Sequence, residues 1–321
     1  TLNLLRQEIQ PVSLPALADF RLRWQHLHPD TRLSGAAGLA RIMQQLRGYS
    51  APAAVWERDL LPLRLTAYWP GELDALCSQG DLVWVASGDD PRRARVRFFF
   101  RGEGALLLDE IPDAMEGLSE AARAVWALLR EEGACFASDL QRGLGLNAVA
   151  LDAALIELLL AGVVTNDHYG ALRQALDYAA PDEARPALSA LDAELRAWRS
   201  QRSPAVGRKP SYARLREARR QAEQRLPAPT RWPGRWSLVG RLGVWGNSVS
   251  AEERARFQAR QFLQRYGVVT LDCLDREPQA VDWGALYQQL VIMELRGEVR
   301  RGYFVQGLSG LQFALPEAVE Q

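Results

Sequence analysis

Lysine is almost absent. Of 39 basic side chains only Lys209 is lysine, and it stands between Arg208 and Pro210. A phosphate-binding loop of the form G-x-x-x-x-G-K-[ST] is thereby excluded. Ala105-Leu-Leu-Leu-Asp-Glu110 resembles the strand whose acid holds Mg²⁺ beside such a loop. Without the loop it reads as a strand running into an acidic turn. Cysteine is scarce too. Cys77, Cys135 and Cys273 are far apart and no CxxC or Cys/His cluster exists, so zinc has no ligand set and no metal is expected. Distant, unpaired thiols fit a reducing compartment, and a cytoplasmic location is expected. No apolar run approaches the ~20 residues of a membrane span. No signal-peptide pattern opens the sequence, and it starts at Thr1 rather than Met, which predicts a piece of a longer protein. Histidine numbers three: His26-x-His28 lacks a third ligand, and His168 stands between Asp167 and Tyr169. There is no Gly-x-Ser-x-Gly elbow and no HExxH. Composition alone offers no catalytic constellation.

What is present is a unit written three times. Its anchors are pairs of glycines, Gly48 to Gly80, Gly133 to Gly162 and Gly267 to Gly297, at intervals of 32, 29 and 30 residues. Seven residues before the second glycine stand Leu73, Leu155 and Leu290; four before it, Leu76, Leu158 and Met293. Two after it stand Leu82, Val164 and Val299; seven after the first glycine stand Val55, Leu140 and Leu274. Each copy reads as helix, short helix, helix, then apolar strands, which is the pattern of a winged helix. The fold class expected is mainly α with small β-hairpins (α+β), as tandem winged-helix domains. Boundaries are expected at 1–112 for a winged helix with a helical lead-in and 113–178 for a second. A basic helical linker is expected over 179–230 and a third winged helix over 231–321. Ser119 and Asn147 are placed to cap helices of the second unit, whose wing is expected within 163–169. Strands are expected over 82–86 and 95–100, and over 299–305 and 311–315. Phe98, Phe99 and Phe100 run consecutively, so one face of that wing must be covered, which predicts a domain or subunit interface.

Charge balances at 39 of each sign but is unevenly spread. Arg196–Arg241 holds thirteen basic residues against two acidic ones, leaving 26 basic against 37 acidic elsewhere. Trp232, Trp236 and Trp245 lie among Arg231, Arg235 and Arg241. Aromatics interleaved with arginine suit single-strand stacking and phosphate neutralisation. Trp236 reads better as the start of a buried strand, and Trp232 is open between the two roles. Arg296, Arg300, Arg301 and Tyr303 cluster at the third wing, where basic residues position a nucleic-acid backbone. Asp282, Glu294 and Glu298 on and beside the preceding helix would repel a major groove.

Several stretches are more specific than the repeat: Phe20-Arg-Leu-Arg-Trp-Gln-His-Leu27, Trp56-Glu-Arg-Asp-Leu-Leu-Pro62, Leu73-Asp-Ala-Leu76, Gly234-Arg-Trp-Ser-Leu238, Arg300-Arg-Gly-Tyr-Phe-Val305 and Gln312-Phe-Ala-Leu-Pro-Glu-Ala-Val319. Together they resemble the C-terminal region of the large helicase-related (Lhr) family of superfamily 2 DNA helicases. The resemblance implies a DNA-repair role and an ATP-driven motor upstream. ATP and Mg²⁺ would belong to that motor, with no cofactor in this chain. It further implies winged helices arranged like those of AlkZ-like DNA glycosylases. The implied partners are single-stranded or forked DNA, sister protomers in a homo-oligomer and the helicase core, with no membrane. Two rivals stand beside this reading. One is a base-excising glycosylase module, for which Asp167 or Gln312 are the candidates; the other is an oligomerisation scaffold.

Overall fold

Each anchor glycine marks the end of a helix or the residue just beyond it. All six adopt positive φ, from +69° to +95°, a conformation that disfavours any residue bearing a Cβ. At Gly267 space forbids a side chain as well, because a Cβ there would lie 2.5 Å from Phe20. The computed structural model describes residues 10–108, 117–178, 231–277 and 282–320. The expected basic linker, 179–230, lies outside the described residues.

The first unit begins with α1 (Leu14–Trp24) and α2 (Gly35–Leu46), then β1 (Ala51–Pro52) and α3 (Ala53–Val55), which continues as a π-turn over Trp56–Leu60. It ends with α4 (Pro70–Ser78), β2 (Leu82–Ser87), β3 (Arg95–Phe100) and α5 (Gly104–Leu107). The second comprises α6 (Glu120–Glu132), β4 (Cys135–Phe136), α7 (Ala137–Leu144), α8 (Ala148–Leu160), β5 (Val164–Asn166), α9 (Gly170–Leu176) and β6 (Arg235–Leu238). After α10 (Leu242–Trp245) the third has α11 (Ala251–Tyr266), β7 (Val268–Val269), a 3-10 turn at Leu271–Arg276 and α12 (Trp283–Leu295). Its wing is β8 (Arg300–Gly302) and β9 (Gln312–Ala314), followed by α13 (Pro316–Val319).

The repeat holds in three dimensions. Each unit has an antiparallel three-stranded sheet with the last strand central: β1-β3-β2, β4-β6-β5 and β7-β9-β8. Leu73, Leu155 and Leu290 are each fully buried on the helix before the wing. Ser119 and Asn147 cap as their sequence positions suggest, accepting from Ala122 N at 3.1 Å and Ala150 N at 2.8 Å.

Four expectations need correction. The second unit's wing does not close within 163–169. Its central strand is β6, whose Trp236 pairs with Cys135 on one side and Asn166 on the other. The boundary expected at 231 therefore falls inside that sheet, because buried Trp236 and Leu238 are needed to finish its core. The segment expected to be a strand before the acidic turn is instead helix α5. The helical lead-in packs on the third unit, not only the first: Val12 N–H donates to Phe304 O at 2.8 Å, and Trp24 Nε1 donates to Gln264 O at 2.9 Å. The triple phenylalanine does lie at a domain interface, as expected, and its cover comes from within the chain. Phe98 joins the core shared by units one and two, meeting Trp56 edge-on at 4.8 Å. Phe99 faces the other way, under Leu107, Val239 and Val244.

Units one and two are thus one body with a common core, tied by Thr165 Oγ1 donating to Trp84 O at 2.6 Å. Unit three has a core of its own around Leu263, Leu290 and Phe313. It is joined through polar contacts, among them Arg265 donating to Arg47 O at 2.7 Å.

Candidate nucleic-acid interface

The residues nominated for phosphate contact divide into those held by carboxylates and those left open. Arg231 lies 3.3 Å from Asp152 and over the rings of Tyr178 and Trp232. Trp232 is buried and donates its Nε1–H to the same Asp152 at 2.6 Å. It meets fully buried Trp236 edge-on at 5.6 Å. Neither indole is available to stack on a base. This group fastens the strand entering β6 to helix α8. Arg235 grips Asp167 twice, through its backbone N–H at 2.6 Å and its Nε at 2.9 Å. Arg241 is exposed against Gly133 and has no ion-pair partner among the described residues.

At the third wing, Arg301 pairs with Glu294 at 2.8 Å, and that carboxylate is only 3% exposed. Arg260 holds Glu298 at 3.0 Å, with Arg296 more loosely placed at 3.9 Å. Asp282 caps α12 by accepting from Gly284 N. The three acids expected to repel a polyanion are therefore neutralised or engaged. Arg300 has no ion pair among the described residues, and Tyr303 is 62% exposed beside it.

The carboxylate and amide nominated for base excision have structural partners. Gln312 is fully buried, and its Oε1 accepts from Phe304 N and Val305 N while its Nε2 donates to Val305 O. With every polar atom engaged it serves to fold the wing, and its nomination falls. Asp167 is occupied by Arg235. His168 belongs to an ionic junction between units one and two. There Arg173 bonds Glu57 at 2.7 and 2.9 Å and Asp74 at 2.8 Å, and His168 Nδ1 lies 3.3 Å from Asp74. Tyr68 donates to Glu57, and burial, then that bond, pushes its hydroxyl well above its ordinary pKa.

Sequence reasoning missed a groove at the junction of α1, α2 and α11, lined by Arg23, His26, Arg41 and Gln264. Its residues are scattered from 23 to 317, so no local motif announces it. The one available signal is His26, where a helix end would ordinarily take glycine. Among the described residues no cluster of metal-ligating side chains occurs, and no single helix is long and apolar enough to cross a membrane.

Two family models match, both described as large helicase-related protein, winged-helix domain: one over residues 12–101, the other over 248–321. The chain is 31% identical over 324 residues to an Lhr helicase/probable uracil glycosylase of Mycolicibacterium smegmatis, covering 100% of this chain and 20% of that protein. It is 27% identical over 336 residues to the Lhr helicase/uracil glycosylase of Escherichia coli, covering 98% and 20%. The chain thus spans about a fifth of the length of these relatives. Among solved structures, the DNA glycosylase AlkZ of Streptomyces sahachiroi is similar at 19% identity and a TM-score of 0.44, covering 97% of this chain and 72% of that one. Two domain matches at opposite ends, the repeated sheet between them and similarity to two Lhr proteins along nearly all of this chain agree: the chain belongs to the large helicase-related family, as part of its winged-helix region.

Proposed function

We propose that this chain binds nucleic acid for a DNA-repair helicase of the Lhr type, with single-stranded or forked DNA as its ligand. The ATP-driven motor, with its ATP and Mg²⁺, lies outside this chain. The observation that carries the reading is the state of the third wing. Its acids are already engaged within the protein, while Arg300 and exposed Tyr303 remain to meet a backbone, with Arg296 held to Glu298 only at 3.9 Å. Such contacts position a strand and do not read its sequence. Arg241 on the second unit would extend the path. The test is fluorescence anisotropy of the whole chain on a single-stranded oligonucleotide, titrated with salt. Binding should weaken steeply with salt, and neutralising Arg296 and Arg300 together should lower the salt slope by about two. No binding at low salt would overturn the reading.

Assembly into homo-oligomers is a second reading. Leu295 at 72% and Leu242 at 70% exposure are large apolar side chains on the outer surface. A stable multimer in sedimentation, with no binding to DNA, would put the scaffold in first place. Base excision, which the printed names of both relatives carry, rests here on Asp167. An Asp167→Asn variant with unchanged excision would remove it.

A further inference from the structure

The junction groove has a volume of about 680 Å³, inside the ~300–1,000 Å³ range of small-ligand sites. Its wall mixes the apolar surfaces of Trp24 and Leu315 with three glutamine amides and two guanidinium groups. Arg41 is exposed and has no ion-pair partner among the described residues. Arg23 shares its charge with Asp19 at 2.9 Å. One lining carboxylate, Glu317, stands against them.

His26 gives the groove its chemistry. It is the one non-glycine residue with positive φ among the described residues, at +58°. It ends α1 in the left-handed turn, with Leu27 N–H donating to Leu22 O at 2.8 Å. Where a helix ends in this turn the residue is usually glycine, because a Cβ is disfavoured there. A side chain kept where the backbone disfavours it points to a use for that side chain. The ring's Nδ1 lies 2.8 Å from Thr31 O. A carbonyl only accepts, so Nδ1 carries the hydrogen and Nε2 is the acceptor. Nε2 has no partner among the described residues. Burial first, with Arg41 and Arg64 adding to it against the bond that Nδ1–H donates to Thr31 O, holds the ring below its ordinary pKa and so neutral. The groove therefore sets an open acceptor beside an open cation.

We propose that this groove seats one nucleotide of a single strand, with Arg41 on its phosphate and His26 Nε2 accepting an N–H from the base edge. Every nucleobase offers such a donor once unpaired, so the contact favours single strands without choosing a sequence. This inference rests on the proposed nucleic-acid function and adds a second contact point, distinct from the third wing.

The chain has three histidines, so ¹⁵N-histidine NMR resolves the question directly. A short thymidine oligonucleotide should shift the Nε2 resonance of His26 and leave that of His168 in place. In anisotropy, Arg41→Ala should weaken binding about fivefold or more and lower the salt slope by about one. His26→Gly keeps the turn, so it should fold, weaken binding and leave the salt slope unchanged. If wild type binds and Arg300→Ala weakens it, but Arg41→Ala and His26→Gly bind normally, the groove is not a strand seat and the proposed function stands. If no strand binds at all, both readings fall. A shift of His26 by thymidine monophosphate that the oligonucleotide does not reproduce would overturn the strand assignment. The same shift on adding polyglutamate would overturn the nucleotide assignment.

Discussion

Replacing Gln312 with alanine removes the one side chain that satisfies three backbone groups of the third wing. Oε1 accepts from Phe304 N and Val305 N, each at 2.9 Å, and Nε2 donates to Val305 O at 3.1 Å. The residue has no solvent exposure, and all three bonds are buried. Truncation strands two N–H groups and a carbonyl. Each orphaned buried group costs about 1–3 kcal/mol, partly relieved if water enters the space. We expect unit three to lose about 3–5 kcal/mol, a large part of the ~5–15 kcal/mol that holds a typical domain together. The damage should spread, because Phe304 O and Gln306 N on the same stretch pair with Val12. Amide hydrogen exchange reads this directly. At 1.4 kcal/mol per decade, protection at Phe304 and Val305 should fall roughly a hundredfold or more. The Val12 contact should loosen with it, while the backbone amides of the β2–β3 ladder in unit one stay protected. Unchanged exchange at those two amides, with a loss under ~1 kcal/mol in a urea melt, would refute the reasoning.

Arg235→Ala should leave strand affinity within about twofold of wild type, since its guanidinium is engaged by Asp167, whereas Arg300→Ala should weaken it; equal effects in anisotropy would undo the division. His26 is held below its ordinary pKa, so it stabilises the fold fully above pH 6.5 and loses that contribution as pH falls toward its folded value. Urea melts between neutral and mildly acidic pH should show a steeper decline for wild type than for His26→Gly, and parallel slopes would contradict this. Phe99→Ala should cost about 3–5 kcal/mol in the same melts, because Phe99 is fully buried beneath α5 and Val244; a cost under ~1 kcal/mol would mean that layer is not packed as described.

The fold was legible because its devices are local. A glycine ending a helix and a leucine seven residues before the next one are short-range requirements. All six glycines took positive φ, and all three leucines were fully buried. What escaped was long-range. The central strand of unit two lies about seventy residues after its partner β5, and no periodicity connects them. Trp236 was readable as buried, but Trp232 was not, because its burial depends on Asp152 of a distant helix. The site was harder still. An arginine looks alike in sequence whether it meets a phosphate or a carboxylate, and only the partner tells them apart.

That last point changes what the scarcity of lysine means. Arg173 bridges Glu57, Asp74 and Pro70 O at once. Arg47 bonds Gln261 and Arg265 bonds Arg47 O across units one and three, and each guanidinium is also held by a carboxylate of its own unit, Glu103 or Glu277. Arg231 and Arg301 do the same within units two and three. These junctions use a planar fork of five N–H donors, which a lysine ammonium cannot supply. Much of the arginine thus works inside the protein, and its abundance says little about nucleic acid. Affinity for a polyanion would come instead from the few cations left over. Inside the described residues these include Arg41 in the groove, Arg241 on unit two and Arg300 on the third wing. A chain with no net charge can track a phosphate backbone when its acids are neutralised by internal arginines and its unpaired ones face outward. That arrangement also explains why the expected penalty from Glu294 and Glu298 does not apply at the wing.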